Sequence, residues 1–222
     1  MKRALIVVEG QTEERFVKDV LAPTLAGSDL YLTPVVFTTK LVKDGPNFKG
    51  GLSNFTKFGG DIHRVLQGSG GCLVTTLVDY YALPIDFPGM ANRPMHLPPI
   101  ARVQHVESSL KQHFANHLNF FPFVALHEYE AWLFSDATTV PEMMTQPSTA
   151  QQFAAIAAMD PEDINEHPNT APSKRLLALY PAYRKTLHGP IAAARIGLPT
   201  IRERCPHFAQ WMAKLEGYAA GP

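Results

Sequence analysis

The amino-acid sequence predicts an α/β fold, in which a mainly parallel sheet is flanked by helices and followed by a C-terminal helical extension. Within the first 127 residues, short apolar segments rich in β-branched residues alternate with segments of helical spacing, as in βαβ units. After Glu128 the sequence shows no convincing strand pattern, and Ala-rich and Leu-rich helical segments follow. We therefore expect an α/β domain over residues 1–127, with a helical extension over residues 128–222 packed on it.

Four segments have the pattern of buried strands. The first, ALIVVEG, is an apolar run that ends in Glu9 and Gly10. The second is rich in β-branched and aromatic residues, and the third follows Gly70-Gly71 and leads directly into Asp79. The predicted strands cover residues 4–10, 30–39, 72–78 and 120–126.

Apolar residues at helical spacing lie between and after these strands. Thr12 and Ser173 precede two such segments and are residue types that favour N-caps, so we expect them to begin helices. A glycine-rich stretch over residues 42–60 carries lysines and phenylalanines, which suits contact with phosphates and bases or, equally, a mobile surface loop. The other predicted helices cover approximately residues 61–67, 100–117, 149–159 and 206–215.

The composition excludes several classes of protein. The longest apolar runs are far shorter than the roughly 20 residues that span a bilayer, and the first run reaches only five residues before Glu9. Two cysteines provide neither a disulfide framework nor a metal cluster. We therefore predict a cytoplasmic protein that has no membrane segment.

Charge is unevenly distributed, although 20 Lys and Arg residues balance 20 Asp and Glu residues. Residues 121–173 contain eight acids and no Lys or Arg, whereas residues 174–222 contain eight basic residues and two acids. Such asymmetry indicates partners rather than fold, although two solvated helical faces that complement each other would give the same pattern. The eight acids are Glu128, Glu130, Asp136, Glu142, Asp160, Glu162, Asp163 and Glu166.

Acidic residues follow three of the four predicted strands. Glu9 ends the first, Asp79 ends the third, and the fourth leads into His127, Glu128 and Glu130. The carboxyl ends of parallel strands meet at one edge of a sheet, where open α/β folds place their binding sites. One acid at a strand end is unremarkable, but three together form the ligand set that Mg²⁺ or Mn²⁺ prefers.

Five short motifs follow one another along the chain: VEGxTE at Val8–Glu13, VDYY at Val78–Tyr81, HExE at His127–Glu130, SKRL at Ser173–Leu176 and CPHFxxW at Cys205–Trp211. In this order they resemble a bacterial Toprim-like family of unknown function that is related to the Toprim domain of OLD-family nucleases. The first motif resembles the strand that carries the catalytic glutamate of Toprim proteins, and the second resembles their metal-binding strand. The resemblance covers nearly the whole chain and implies a Toprim-like sheet.

The resemblance implies that Glu9 acts as a general acid or base and that Asp79 binds Mg²⁺ or Mn²⁺. This chain has Tyr81 where the Toprim DxD pattern has its second aspartate. We therefore expect another acid to complete the catalytic and metal site, with Glu128 as first choice and Glu130 as second. Side chains two residues apart on a helix point about 200° away from each other. Only one of Glu128 and Glu130 would therefore reach the metal if a helix begins at Glu128.

Several residues near these motifs are candidates for substrate binding, each with a structural alternative. His127 could relay a proton or simply close a strand, and Tyr81 could stack on a base or close the core. The cations after Ser173 could line a substrate groove together with Arg184, Lys185 and Arg195, or they could pair with the acidic block. The substrate-binding candidates are Thr12, Glu13, Tyr81, His127, Lys174 and Arg175.

We expect a divalent-metal-dependent nuclease or related phosphodiester-processing enzyme that acts on nucleic acid, with DNA favoured. The resemblance implies a bacterial defence or DNA repair context, an ATPase partner and a capacity for homo-oligomers. The alternative is a non-catalytic Toprim-like module that binds nucleic acid or an ATPase, which the missing second aspartate favours. A small-molecule phosphohydrolase at the same acids is a third reading.

Overall fold

The computed structural model describes residues 1–37, 52, 54–81, 83–165 and 167–221. Their four strands form one parallel sheet in the order β2-β1-β3-β4, with helices on both faces. The predicted α/β class and parallel sheet are therefore confirmed. The strands are β1 (Lys2–Val8), β2 (Leu30–Val36), β3 (Leu73–Asp79) and β4 (Val124–Ala125).

Ten α-helices are found in the described residues. A π-helical turn over Val17–Leu21 joins the first two into one continuous rod, and 3₁₀ helices cover Tyr129–Ser135 and Pro161–Asp163. No helix in the described part of the chain is long and apolar enough to cross a membrane. The helices are α1 (Gln11–Phe16), α2 (Ala22–Ala26), α3 (Phe55–Gly68), α4 (Pro99–His113), α5 (Thr139–Met144), α6 (Pro147–Ala157), α7 (Pro172–Leu179), α8 (Lys185–Ile196), α9 (Leu198–Arg204) and α10 (Pro206–Ala220).

The sequences of the strands explain their places in the sheet. β1 and β3 are central, and their apolar residues are buried because helices cover both faces. β2 contains Pro34, which cannot donate a ladder hydrogen bond and is tolerated because β2 is an edge strand. β4 is much shorter than predicted because Pro122 interrupts it, and only a bridge between Phe120 and Val74 continues the pairing.

Two hydrophobic clusters lie on the two faces of the sheet. One contains Ile6 of β1 together with Trp132 and Trp211, so the C-terminal helical segment packs on the same sheet as the N-terminal residues. The other joins Val7 and Val78 to the apolar faces of α3 and α4. The carboxyl ends of β1, β3 and β4 are thereby held at one edge, where the loops after them meet α1, α7 and α8.

Some sequence predictions of local structure are wrong. Thr12 and Ser173 are not N-caps, because α1 begins at Gln11 after Gly10 and α7 begins at Pro172. Sequence patterns gave no sign of α5, α8 and α9, since Pro residues lie within or beside each of them. Most of the glycine-rich stretch predicted over residues 42–60 lies outside the described residues, and its last six residues belong to α3.

Candidate active site

Acidic side chains from four segments gather at the carboxyl edge of the sheet. Glu9 follows β1 and Asp79 ends β3, as the strand pattern predicted. Glu13 is added by the first turn of α1, and Glu130 is added by the 3₁₀ helix that follows β4. We call these four residues, together with Lys185, the acid cluster.

Lys185, the first residue of α8, lies at the centre of the acid cluster. Its Nζ is 3.1 Å from Asp79 Oδ2, 3.2 Å from Glu130 Oε2 and 3.4 Å from Glu13 Oε1. The sequence offered two roles for Lys185, a substrate groove or pairing with acids, and the structure shows the pairing. Three carboxylates from three segments therefore contact one ammonium group.

The electrostatics of the acid cluster follow from burial and from an excess of negative charge. Burial, and then the charges of Asp79 and Glu13, raise the pKa of Glu9 to about 8. Burial also raises the pKa of Glu130 to about 8 and raises that of Glu13, although Lys185 lowers both. Burial lowers the pKa of Lys185, but its three carboxylate partners more than offset this and raise the pKa well above its usual value.

Glu128 and Glu130 have different partners because a 3₁₀ helix begins between them. Glu128 is in extended conformation, and its two carboxylate oxygens accept hydrogen bonds from the Ser173 backbone N–H at 2.8 Å and the Ser173 hydroxyl at 2.9 Å. Glu130 is fully buried and turns towards Lys185. Glu128 therefore binds the first turn of α7, and burial raises its pKa.

The backbone that follows β4 is held next to the acid cluster by hydrogen bonds and by an uncommon backbone conformation at His127. His127 has a positive φ of 66°, which is uncommon for a residue other than glycine, and its Nε2 lies 3.1 Å from the Glu162 carbonyl oxygen. The Tyr81 N–H donates to the His127 carbonyl at 2.7 Å, and the Tyr129 N–H donates to Asp79 Oδ1 at 2.8 Å. The Tyr129 bond holds one oxygen of Asp79, and the other, Oδ2, accepts from Lys185.

Two tyrosines that the sequence did not single out border the acid cluster. The hydroxyl groups of Tyr129 and Tyr183 are buried, and neither has a hydrogen-bond partner among the described residues. Burial, and then the charge of Glu130, raise the pKa values of both phenols well above the usual value. Both rings approach Gly189 of α8, where an added Cβ would lie 3.1 Å from Tyr129 Cε1 and 3.2 Å from Tyr183 Oη.

The remaining predicted substrate-binding residues lie around the cluster in different settings. Thr12 is buried in α1 and its methyl group faces Gly189. Lys174 is exposed on α7, one residue after the Ser173 that binds Glu128, and the Nε of Arg175 donates to the Thr170 carbonyl at 2.6 Å. Arg184 is exposed immediately before Lys185, so Lys174 and Arg184 are cations beside the acids.

The cluster does not hold its acids in a metal-ligand arrangement as it stands. In the ranges that the structure describes, no three His, Cys, Asp or Glu side chains are placed so that they could hold a metal ion. The position between the carboxylates is taken by the Lys185 ammonium instead. Binding of an ion between these acids would therefore require Lys185 to move away from them.

Comparison with known proteins assigns the family of the chain. No curated protein and no solved structure matches it. One family model, described as a domain of unknown function, matches residues 8–216 and so includes every residue of the acid cluster. The chain therefore belongs to the DUF4276 family.

Proposed function

We propose that this protein is a divalent-metal-dependent phosphodiester-processing enzyme of nuclease type, with the acid cluster as its active site. The observation that carries the proposal is the gathering of three carboxylates around one ammonium group, with Glu9 as a fourth acid close to them, at the carboxyl edge of a parallel sheet. Open α/β sheets bind their ligands at this edge.

The donor set fits a hard cation. All four acids offer carboxylate oxygens, which Mg²⁺ and Mn²⁺ prefer, and a single lysine does not balance their charge. Neither oxygen of the fully buried Glu130 has a hydrogen-bond partner among the described residues, and Oε2 lies 3.2 Å from Lys185 Nζ, so Glu130 could turn to an ion once Lys185 moves away. Asp79, with Glu9, Glu13 or Glu130, would hold the ion. When bound, the ion would polarise a phosphoryl oxygen and offset the charge that develops on phosphate.

Glu9 is the best candidate for proton transfer. A pKa of about 8 means that the Glu9 carboxyl gains or loses a proton near neutral pH, as a general acid or base requires. Lys185 is the best candidate for contact with a substrate phosphate, because its ammonium group lies at the centre of the acid cluster and its side chain is 37% exposed. The exposed cations Lys174 and Arg184 would contact the phosphate backbone on either side.

The second candidate is a non-catalytic module that binds nucleic acid or a partner ATPase, and Lys185 is the observation that favours it. An ammonium group that contacts Asp79, Glu130 and Glu13 neutralises part of their charge without an ion. Tyr81 also replaces the second aspartate of the Toprim pattern. In this reading the acid cluster is an ion-pair network that holds α8 to the sheet.

Nucleic-acid cleavage tests the first candidate. Purified protein is incubated with supercoiled DNA, linear DNA and RNA in Mg²⁺ or Mn²⁺, with EDTA as the blank. We expect metal-dependent cleavage that falls by about a hundredfold or more in Glu9→Gln and Asp79→Asn. Glu14→Gln is the matched control, because Glu14 lies on α1 beside Glu13 but pairs with Lys18 outside the cluster.

Calorimetric titration with Mn²⁺ separates the two candidates without relying on turnover. Binding that disappears in Asp79→Asn and persists in Glu14→Gln supports the enzyme. Nucleic-acid binding without Mn²⁺ binding and without cleavage supports the module. Cleavage that survives both Glu9→Gln and Asp79→Asn would reject the acid cluster as the active site.

A further inference from the structure

A cavity lies beside β4, the edge strand opposite β2, and shares no residue with the acid cluster. It has a volume of about 560 Å³ and lies between α4, α10 and residues 121–123 beside β4. Small-molecule sites are typically roughly 300–1,000 Å³, so the cavity has the size of a ligand site.

The charged groups of this cavity favour an anion. Lys111 and Lys214 line it, as does Glu107. The Glu107 carboxylate is already engaged, because its Oε1 accepts a hydrogen bond from the Val124 N–H at 2.8 Å and lies 3.1 Å from His207 Nε2. The Lys111 ammonium donates to two backbone carbonyls, and with three donors it can serve one further acceptor.

The uncharged lining favours a planar, hydrogen-bonding ligand. Phe123 stacks on Trp211 with ring centroids 4.4 Å apart, and the Lys214 Nζ lies 5.2 Å from the centroid of the half-buried Phe121. Gln104 and Gln210 face each other with a hydrogen bond of 3.2 Å between their amides. These amides offer both donors and acceptors to the edge of a heteroaromatic ring.

The main-chain groups on the outer edge of β4 cannot pair with a peptide added as a further strand, so we favour a small molecule as the ligand of the cavity. On this edge the Lys111 ammonium donates a hydrogen bond to the Phe120 carbonyl, and the Glu107 carboxylate accepts one from the Val124 N–H. Pro122 between them has no N–H to offer. A peptide could therefore not extend the sheet here by main-chain hydrogen bonds.

We propose that this cavity binds a small phosphorylated heteroaromatic compound of the size of a nucleoside monophosphate. The phosphate contacts the ammonium groups of Lys111 and Lys214, and the ring lies against Phe121 with its polar edge towards Gln104 and Gln210. The site is independent of the acid cluster and of the activity proposed for it.

Calorimetry on the full chain tests this site, with the four ribonucleoside 5′-monophosphates as probes. EDTA is present throughout, so that no metal ion can recruit phosphate to the acid cluster. We expect at least one nucleotide to bind, and its affinity to fall about tenfold in Lys214→Ala because one charge-assisted contact is lost. Lys18→Ala is the matched control, since Lys18 is also an exposed helical lysine but pairs with Glu14 and does not line the cavity.

Inorganic phosphate and Gln210→Ala distinguish a nucleotide site from a simple anion site. We expect Gln210→Ala, an exposed position, to weaken the nucleotide about threefold and to leave inorganic phosphate unchanged. No binding of any of the four nucleotides would overturn the proposal. It would also be overturned if inorganic phosphate bound as tightly as the nucleotide, or if Lys214→Ala bound the nucleotide as tightly as the unaltered chain.

Discussion

Two buried glutamates of this protein, Glu162 and Glu130, have opposite surroundings. Glu162 accepts hydrogen bonds from the backbone N–H groups of His207 at 2.8 Å and Phe208 at 3.0 Å, at the start of α10. Both of its oxygens are satisfied, and although burial raises the pKa of Glu162, these two hydrogen bonds at a helix N-terminus oppose that rise. Glu130 has no hydrogen-bond partner among the described residues, and its counter-charge is Lys185, which it shares with other acids.

Hydrogen bonding therefore divides the buried carboxylates into two groups. The carboxylates of the first group accept a pair of hydrogen bonds that stabilises the fold, and those of the second group lack such a pair. Glu128 belongs with Glu162, because both of its oxygens accept hydrogen bonds from Ser173 in the first turn of α7. Burial raises the pKa of all four carboxyl groups, but donated hydrogen bonds oppose this rise in Glu128 and Glu162. Glu9 belongs with Glu130, because burial and then neighbouring acids raise its pKa to about 8. A buried carboxyl group whose surroundings disfavour its ionised form is a candidate for a residue of a functional site.

The largest expected effect on stability comes from Glu162, whose carboxylate accepts hydrogen bonds from the first N–H groups of α10. Glu162→Ala leaves two buried N–H groups of α10 without acceptors and should lower the free energy of unfolding by about 3 kcal/mol. Urea denaturation at neutral pH measures it. The matched control is Glu142→Ala, an exposed acid of the same acidic block, which should cost less than about 0.5 kcal/mol. If the two variants lost the same free energy of unfolding, the Glu162 carboxylate would not be a stabilising one.

Lys185→Met should produce the next largest effect, because it leaves the carboxylates of the acid cluster without their ammonium group. Breaking a buried ion pair costs about 3–5 kcal/mol; since the Lys185 side chain is 37% exposed, we expect about 2 kcal/mol at pH 8. The loss should be smaller at pH 5, where Glu9 and Glu130 are protonated in the folded protein. Lys174→Met, at an exposed lysine of α7, is the control. Greater stability of Lys185→Met at pH 8 would contradict the ion-pair arrangement.

Much of the fold and part of the acid cluster could be predicted from the sequence. The apolar runs of β1 and β3 have the composition of buried parallel strands, and parallel strands place their carboxyl ends at one edge. The proximity of Glu9, Asp79 and the segment after β4 follows from this rule alone. Pro122 shortened β4 without changing its place in the sheet.

The partner of each acid could not be predicted in the same way. Lys185 contacts Asp79 across 106 residues of sequence, and its helix α8 contains Gly189-Pro190, a pair that normally indicates a turn. The sequence favoured Glu128 over Glu130, whereas the start of the 3₁₀ helix at Tyr129 directs Glu130 to Lys185 and Glu128 to Ser173. Such contacts depend on tertiary packing, which local patterns do not encode.

The last expected effect is a dependence of stability on pH that comes from the acid cluster. The pKa of Glu130 is about 8 in the folded protein against 4.5 when exposed, so between these values the folded state binds more protons than the unfolded state. Its contribution to stability is therefore complete below pH 4.5 and is lost as the pH rises through about 8.

Glu130→Gln replaces the carboxyl by a neutral group of the same shape and should remove this loss. In EDTA, we expect its stability to match that of the unaltered chain at pH 5 and to exceed it at pH 8 by no more than about 3.5 kcal/mol, measured by urea denaturation. Glu162→Gln provides the contrast, because its carboxylate accepts two backbone N–H groups and an amide oxygen can accept only one of them without placing its NH₂ group against the other donor. We therefore expect Glu162→Gln to be less stable than the unaltered chain at pH 8. If both variants lost stability at pH 8, Glu130 would be a stabilising carboxylate like Glu162, and the distinction between the two groups of acids would fail.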